Sequence, residues 1–327
     1  MTFDAYFGEW LYGKEGYYTN YKSIGKGGDF YTSVSTSKFF GGAIANHLVR
    51  QITSGALPEN TLVVEVGPHK GYLLADMIQF IHTLRPELLG TLSFAMVERY
   101  DSLQAVQRRY FQESFGDAVT LAHYKDLSEI RADHAFIVAN EIFDAFPCTL
   151  VYKGQEAVVN DHTVTWSHTL SAYTKKIMER YAIEKGEIGL GYEAFAKTMG
   201  ESFGHCEFVT FDYGDLLPRQ DFSARVYHEH QVYPLFEADL AALYQKSDIT
   251  YDVHFQHLID AFEENGFEKA GYATQMVALT DFGIMELMEM LEKNVPFEQY
   301  RREAGKIKTL INPAFLGERF KMVRFVK

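Results

Sequence analysis

One short stretch limits the possible fold more than any other: Val63–Asp76, which reads VVEVGPHKGYLLAD. The apolar run predicts a buried strand, Gly67-Pro68 predicts a turn, and the spacing from Tyr72 onward predicts a helix. A strand, a glycine-bearing loop and a helix in this order form the unit from which many ligand-binding parallel sheets are built. The stretch therefore favours an α/β protein with its ligand at the turn.

Strands and helices go on alternating after this stretch. The predicted strands are Leu62–Val66, Leu92–Val97, Ala118–Ala122, His134–Asn140, Glu207–Phe211, Ala273–Leu279 and Lys321–Val326. Helical spacing covers Tyr72–Leu84 and Ser102–Phe115 between them. Short apolar runs separated by helices indicate a mostly parallel sheet with both faces covered. The 327 residues suffice for one elaborated α/β domain or for two domains of ordinary size.

Three longer segments interrupt this alternation. We predict an N-terminal cap over residues 1–58 and a main domain over 59–327 with insertions at about 149–203, 215–250 and 281–310. Within the insertions, Cys148–Trp166 is predicted to be a hairpin and Ser171–Glu201 to be helical. The tyrosines of the cap segment are expected mainly to cover the core.

The loop after the first strand matches one ligand pattern better than another. A dinucleotide loop, G-x-G-x-x-G, would need glycine at His69 and Tyr72, so that pattern fails twice. An acid-x-G-x-G-x-G loop, typical of enzymes that bind S-adenosyl-L-methionine (SAM), finds Glu65, Gly67 and Gly71 but again meets His69. Histidine is enriched among residues with positive φ, so His69 is compatible with the turn. An ordinary structural turn remains the alternative.

Polar residues follow the next strands where a parallel sheet places its ligand crevice. Glu98 directly follows the second strand, and its carboxylate could hold both hydroxyls of a ribose. The alternative interpretation is that Glu98 is an exposed acid at the end of a strand without a ligand. Asp126 follows the third strand and is a weaker candidate for contact with an adenine ring. Asn140, Glu141 and Asp144 follow the fourth strand, and a helix cap would explain only one of them.

The composition excludes several kinds of protein. A formal net charge of -13 repels nucleic-acid phosphates, so DNA or RNA is not the expected partner. Tyr227-His228-Glu229-His230 offers two imidazoles, but no further ligands accompany them, and we predict no metal site. No apolar segment approaches the ~20 residues that span a bilayer. No secretion signal is recognisable, and the expected location is the cytoplasm.

Taken together, these motifs resemble the MidA family of SAM-dependent methyltransferases. The resemblance runs nearly end to end, through the segments GDFYTS (28–33), EVGPHKG (65–71), ANEIFDAFP (139–147), FDYG (211–214), DITYDVHF (248–255) and LGERFK (316–321). The family pattern differs from this chain at three places: His69 replaces a glycine, Val34-Ser35 replaces Pro-Glu, and the segment around His228–Pro234 is shorter and less basic.

The resemblance implies a class I methyltransferase fold, Rossmann-like, with a mostly parallel seven-stranded sheet, an N-terminal helical cap and an inserted helical lobe. The cofactor it implies is SAM. The cofactor-binding residues expected from the loop and the family motifs are Glu65, Gly67, His69, Gly71, Glu98, Asp126, Asp29, Phe30 and Ser33. Asn140, Glu141 and Asp144 are the expected catalytic residues, which orient the methyl acceptor.

The preferred acceptor is a protein arginine, because a guanidinium pairs with carboxylates in a bidentate fork. The family includes an arginine methyltransferase needed for complex I assembly, which implies a respiratory-complex subunit as one candidate substrate. His69 and Val34-Ser35 favour a rival hypothesis, an assembly factor that binds SAM weakly or not at all. A nicotinamide dehydrogenase is a further rival, which the failed dinucleotide pattern opposes. The sequence leaves the oligomeric state open.

Overall fold

The computed structural model describes residues 1–20 and 32–327, so the predicted contacts of Asp29 and Phe30 lie outside the described residues. The chain divides into two compact units. Unit 1 consists of Met1–Tyr31, Glu141–Phe195 and Asp212–Ala261, and unit 2 of Thr32–Asn140, Ala196–Phe211 and Phe262–Lys327. The segment predicted as a cap, residues 1–58, is therefore shared between the two units.

The elements of the described residues are numbered along the chain. The α-helices are α1 (Phe3–Tyr12), α2 (Ser33–Thr36), α3 (Phe39–Thr53), α4 (Tyr72–Leu84), α5 (Asp101–Phe115), α6 (Ala172–Tyr181), α7 (Tyr192–Ser202), α8 (Leu240–Leu243), α9 (Phe255–Glu263), α10 (Gln275–Asp281), α11 (Ile284–Asn294), α12 (Phe297–Ile311) and α13 (Leu316–Arg319). Short 3-10 helices cover Pro86–Gly90, Leu127–Glu129, Phe143–Ala145 and Leu235–Glu237. The strands are β1 (Leu62–Val66), β2 (Ser93–Val97), β3 (Leu121–Tyr124), β4 (Ala132–Asn140), β5 (Cys148–Tyr152), β6 (Gln155–Asn160), β7 (Thr163–Ser167), β8 (Lys185–Gly189), β9 (Phe203–Asp215), β10 (Arg225–His228), β11 (Gln231–Pro234), β12 (Asp248–Thr250), β13 (Val253–His254), β14 (Glu268–Thr274) and β15 (Phe320–Val326).

Unit 2 contains the central sheet. Its strands lie in the order β14-β15-β9-β4-β1-β2-β3 within the described part of the chain. From β9 to β3 every neighbouring pair is parallel, and β14 and β15 are antiparallel. The reciprocal main-chain hydrogen bonds between Cys206 of β9 and Lys327, next to β15, are those of an antiparallel pair. The predicted mostly parallel sheet is confirmed, and the short strand β13 adds an eighth strand to the seven predicted by pairing with β9. Because β1 lies between β2 and β4, the strand order reverses at β1, and open parallel sheets bind their ligands at such a point.

The core of unit 2 forms between this sheet and its helices. Helix α3 places Phe40, Ile44 and Leu48 at intervals of four residues, and all three side chains are fully buried. Helix α4 contributes Leu74 and Ile78 to the same core. Because these helices pack beside β1, they fix the position of the loop that follows it.

Unit 1 contains two smaller antiparallel sheets. In the described residues, β7-β6-β5-β8 form one sheet and β11-β10-β12 form the other. Helix α1 packs Phe3, Phe7 and Trp10 into a shared core with residues of both sheets. The indole N–H of Trp10 donates a hydrogen bond to the main-chain oxygen of Ser247, 2.7 Å away. Tyr17 is fully buried in the same core, as the prediction for the N-terminal tyrosines requires.

Several predicted elements need correction. Ser171–Glu201 is not one helical segment, because β8 pairs with β5 between α6 and α7. Glycines disfavour helix there, and Ala182 already ends α6 in a left-handed conformation. The strand predicted over Ala273–Leu279 ends at Thr274, whose side chain accepts a hydrogen bond from the N–H of Val277 and so starts α10.

Two further segments differ from the prediction by smaller amounts. The third strand covers Leu121–Tyr124 rather than the region 118–122. The predicted hairpin of residues 148–166 is a three-stranded meander, β5 to β7, whose last strand ends at Ser167. Among the residues that the structure describes, no helix is both long and apolar enough to cross a membrane.

Candidate active site

The β1–α4 loop of unit 2 is a turn of unusual backbone conformation. Gly67, His69 and Gly71 have φ angles of 67°, 47° and 81°, all in the left-handed region. The N–H of Gly67 donates to the main-chain oxygen of Val97, and the main-chain oxygen of His69 accepts from Nε2 of Gln107 at 2.7 Å. His69 thus takes the conformation that the family glycine would take, and Gln107 of α5 holds its carbonyl group.

Gly71 is the N-cap residue of α4, and a side chain at this position would be sterically unfavourable. A Cβ atom there would lie 2.7 Å from Cε of Met96 and 3.2 Å from the ring of Phe111. Its left-handed φ adds a second reason for glycine. The glycine at position 71 is therefore needed to turn the chain from β1 into α4 close to β2.

Glu65 lies in β1 just before the loop and is buried. Its Oε2 accepts a hydrogen bond from the N–H of Leu74 in the first turn of α4, at 3.0 Å. Its pKa is raised to about 8, mainly by burial; the Leu74 hydrogen bond opposes this rise, and the nearby carboxyl groups of Asp76 and Glu98 add to it. Near neutral pH, Glu65 is therefore mostly protonated in the protein alone.

Glu98 lies at the carboxyl end of β2, as predicted. Its Oε1 accepts a hydrogen bond from the N–H of Tyr100 at 2.9 Å, and its main-chain oxygen accepts from Nε2 of Gln104. Only 6% of the residue is exposed, and this burial raises its pKa. SAM carries an ammonium group and ribose hydroxyls, all donors, so the two buried carboxyl groups Glu65 and Glu98 fit it as acceptors.

Two other predicted cofactor contacts have different partners. Oδ1 of Asp126 accepts the N–H of Ser128 and caps the short helix that begins at Leu127; these hydrogen bonds lower the pKa of Asp126. The hydroxyl of Ser33 is fully buried and donates to Oε1 of Gln275 at 2.9 Å. In this structure Asp126 caps a short helix and Ser33 bonds to Gln275, and the contacts of both residues with the cofactor stay predictions.

The three predicted catalytic residues fall in both units. Asn140 is the last residue of β4 and belongs to unit 2, whereas Glu141 and Asp144 belong to unit 1. Glu141 has a left-handed φ of 54°, which turns the chain sharply out of the strand. Asp144 lies in the 3-10 turn Phe143–Ala145 and is only 4% exposed.

Asp212 holds this turn in place. Its Oδ2 accepts the N–H groups of Phe143 and Asp144, at 2.9 and 3.2 Å, and its Oδ1 accepts the N–H of Tyr213. Gly214 completes the FDYG motif with a φ of 148°, and a side chain there would overlap the main chain of Val253 in β13. The motif therefore positions Asp144 and allows β13 to pair closely with the end of β9.

The Asp144 carboxyl group belongs to a buried polar cluster. The hydroxyl of Tyr213 donates to Oδ2 of Asp144, and the guanidinium carbon of Arg225 lies 4.6 Å from the centre of the Tyr213 ring. Nη1 of Arg225 also donates to Oδ1 of Asp252 at 2.7 Å. We call these four residues, Asp144, Tyr213, Arg225 and Asp252, the Asp144 cluster. Sequence reasoning named only Asp144, and the family motif FDYG was the one signal that pointed towards Tyr213.

Burial and neighbouring charges set the ionisation of this cluster. Burial raises the pKa of Asp144 to about 6, while the Tyr213 hydrogen bond and the Arg225 charge oppose the rise. Burial and the neighbouring acids also raise the pKa of Asp212. Among the described residues, no group of three or more His, Cys, Asp or Glu side chains could hold a metal ion.

Comparison with known proteins connects this geometry to a family. Residues 43–273 match the family model described as "Putative S-adenosyl-L-methionine-dependent methyltransferase". A crystal structure of a Burkholderia thailandensis protein bound to S-adenosyl-homocysteine superposes with a TM-score of 0.83 at 22% identity, over 100% of this chain and 88% of that one. The similarity in structure shows the class I methyltransferase fold.

Two curated relatives are similar over nearly the whole chain. The protein arginine methyltransferase NDUFAF7, mitochondrial, of Danio rerio is 25% identical over 338 residues, which cover 93% of this chain and 78% of the relative. The protein of the same name from Mus musculus is 25% identical over 94% of this chain and 76% of its own length. The chain therefore belongs to this family of SAM-dependent methyltransferases, and its cofactor is SAM. The resemblance to MidA proteins predicted both.

Proposed function

We propose that this protein transfers the methyl group of SAM to arginine side chains of another protein. The observation that carries the proposal is its similarity, along 93% of the chain, to a relative named protein arginine methyltransferase. The structure supports it with a suitable acceptor-binding group. Asp144 is a buried carboxylate in unit 1, and carboxylates bind guanidinium groups through charge-assisted hydrogen bonds.

The residues of this chain have separate tasks in the proposed reaction. Glu65 and Glu98 bind the donor groups of SAM, which supplies an electrophilic methyl group when it is bound. Asp144 and Glu141 orient the guanidinium of the acceptor and balance its charge. Because a sulfonium methyl needs no covalent enzyme intermediate, alignment and charge compensation account for the catalysis.

Labelled-methyl transfer tests this proposal directly. The purified protein is incubated with methyl-labelled SAM and a lysate of the source organism, and labelled proteins are hydrolysed to amino acids. We expect labelled methylarginine in a small number of proteins and none with heat-inactivated enzyme. Label that appears only in another amino acid, or only in small molecules, would refute an arginine acceptor.

The labelling experiment also tests the class of partner, and a separate fractionation experiment tests the cellular compartment. We propose a protein partner, and a labelled subunit of a respiratory complex would identify its class. The sequence predicts a cytoplasmic location, while the relatives have names that include the word mitochondrial. Cell fractionation followed by detection of the native protein decides between the two, because the enzyme and its labelled substrate should appear in one fraction.

A further inference from the structure

The Asp144 cluster has hydrogen-bonding capacity that folding alone does not use. Oδ1 of Asp144 and Nη2 of Arg225 are both buried and have no hydrogen-bond partner among the described residues. Buried polar atoms are nearly always paired, so atoms of this kind require an explanation. One acceptor atom and one donor atom without a described hydrogen-bond partner in a single cluster indicate a site where a ligand binds.

The other atoms of the cluster are firmly held. Tyr213 occupies the second oxygen of Asp144, and Arg225 lies over the Tyr213 ring. Three further contacts fix Arg225: Nη1 to Asp252, Nη1 to the main-chain oxygen of Ser223, and Nε to the hydroxyl of Tyr227. The orientation of the Asp144 carboxyl group is therefore set by its neighbours before any ligand binds.

We propose that Tyr213 and Arg225 are positioning residues that fix one oxygen of Asp144 and leave the other to bind the methyl acceptor and take its proton. This inference rests on the proposed function. Methylation converts guanidinium to methylguanidinium of the same charge and releases one proton. The nitrogen electron pair forms the new N–C bond, the S–C bond breaks with its pair remaining on sulfur, and the proton passes to Oδ1 of Asp144 and then to solvent.

The contacts of Asp144 predict a pH dependence. Within residues 1–20 and 32–327, the ionisable groups that face it are Tyr213, Arg225, Asp252, Asp212, Tyr18 and Tyr251. Tyr213 and Arg225 lower the pKa of Asp144, whereas Asp252 raises it. Loss of the Tyr213 hydroxyl should therefore raise this pKa, and the acid side of the activity profile should move to higher pH.

Tyr213→Phe tests the inference through the pH profile of kcat with the labelled acceptor. One lost hydrogen bond corresponds to a shift of roughly one pH unit, so activity should fall most at acid pH and recover at alkaline pH. SAM affinity should stay unchanged. Tyr6→Phe is the matched control, because it removes another buried hydroxyl, which contacts Nδ1 of His162 rather than Asp144. We expect the Tyr6→Phe profile to coincide with that of the unmodified protein.

A second pair of variants keeps the test decisive if Tyr213→Phe does not fold. Arg225→Gln removes the charge and should move the acid limb upward, whereas Arg225→Lys keeps the charge and should restore most of the shift. Equal loss of activity at every pH in these variants would mean a purely structural role and overturn the inference. If the unmodified enzyme formed no labelled methylarginine in its substrate proteins, the proposed function itself would be refuted. The two failures are therefore distinguishable.

Discussion

The loop end of the unit 2 sheet and the Asp144 cluster of unit 1 both bury carboxyl groups, but burial raises the pKa values of these groups by different amounts. Glu65 and Asp76 of unit 2 have pKa values raised to about 8 and about 7, mainly by burial. Asp144 is more completely buried than Asp76, yet its pKa rises only to about 6, because Tyr213 and Arg225 oppose the effect of burial. A hydrogen-bond donor and a cation together oppose the effect of burial on the pKa of Asp144, whereas at Asp76 Lys38 opposes it without such a hydrogen bond in the described part of the chain.

The two regions therefore differ in the ionisation of their carboxyl groups before a ligand binds. Glu65, beside the β1–α4 loop, is largely neutral until a cationic ligand arrives, and SAM carries positive charge that would favour its ionised form. Asp144 is already mostly ionised near neutral pH, so it can attract a cationic acceptor without a change of protonation. Predictions on these residues, given from the largest expected effect to the smallest, sharpen the comparison.

The first prediction concerns the stability cost of Glu65. Its pKa in the folded protein is about 8, against 4.5 for an unperturbed glutamate. Stability should therefore be full below the unfolded pKa and decline as the pH rises through the folded pKa. Glu65→Gln removes this decline, so at about pH 9 the variant should exceed the unmodified protein by roughly 3–5 kcal/mol in free energy of unfolding. Urea unfolding without SAM measures the difference.

Two comparisons test the cause of this effect. At about pH 4 the two proteins should have nearly equal stability, because Glu65 is then protonated in both the folded and the unfolded state. Glu113→Gln, which changes an exposed glutamate of α5, should leave the pH dependence unchanged. If the stability of Glu65→Gln still fell with pH as steeply as before, the burial of Glu65 would not be the cause.

The same two regions show which part of the site was predictable from sequence. Glu65, Gly67 and Gly71 lie within seven consecutive residues, so a local pattern was enough to place them on one strand, loop and helix. Glu98 followed from the alternation of strands, because parallel strands end at one edge of a sheet. For the same reason, the sheet itself could be predicted from its short apolar runs.

The rest of the site depends on contacts between distant parts of the chain. The hydrogen bond from Tyr213 to Asp144 joins residues 69 positions apart, and no periodicity indicates such a pair. Arg225 lies in the insertion predicted at about 215–250, for which the sequence pattern predicted no strands, and β10 and β11 form a hairpin there. Strand β8 was missed because its pairing with β5 overrides local spacing.

The second prediction is kinetic and concerns Asp144→Asn. The amide preserves the shape and can still accept the Tyr213 hydroxyl, but it has no negative charge for the acceptor and cannot take the proton. Methyl transfer should fall by ~100-fold or more, equivalent to about 3 kcal/mol of transition-state stabilisation. The rate of label incorporation measures this loss.

SAM binding separates this prediction from general damage. Calorimetry on Asp144→Asn should give a SAM affinity close to that of the unmodified protein, since Asp144 belongs to unit 1, whereas Glu65, Glu98 and the β1–α4 loop belong to unit 2. A variant that methylates at an undiminished rate would remove Asp144 from the mechanism. A variant that loses SAM affinity and activity together would also contradict the separate tasks assigned to the two regions.

The third prediction concerns Glu98 and SAM. Glu98→Ala removes the carboxylate expected to accept the ribose hydroxyls, and SAM affinity should fall by roughly 1–3 kcal/mol. Isothermal calorimetry gives the value, and Glu113→Ala provides the comparison, because Glu113 is an exposed residue of α5 with no predicted contact to SAM. An unchanged affinity in Glu98→Ala, or an equal loss in both variants, would sink this placement of the ribose.

The smallest effect is expected at His69. Its φ of 47° suits glycine, and its main-chain oxygen, not its side chain, makes the described bond to Gln107. His69→Gly should therefore keep the loop conformation, with less steric strain and more freedom in the unfolded chain, and these two effects nearly cancel. SAM affinity should stay equal or improve, by less than about 1 kcal/mol.

Two measurements distinguish this tolerance from a direct role of the imidazole. If the ring contacts the carboxylate of SAM, His69→Gly should weaken binding, and more at about pH 6 than at about pH 8, because a protonated imidazole binds an anion better. Gln107→Ala removes the amide that holds the His69 carbonyl and should weaken binding more than His69→Gly does. The reverse order would mean that the side chain of His69, rather than the backbone of the loop, recognises the cofactor.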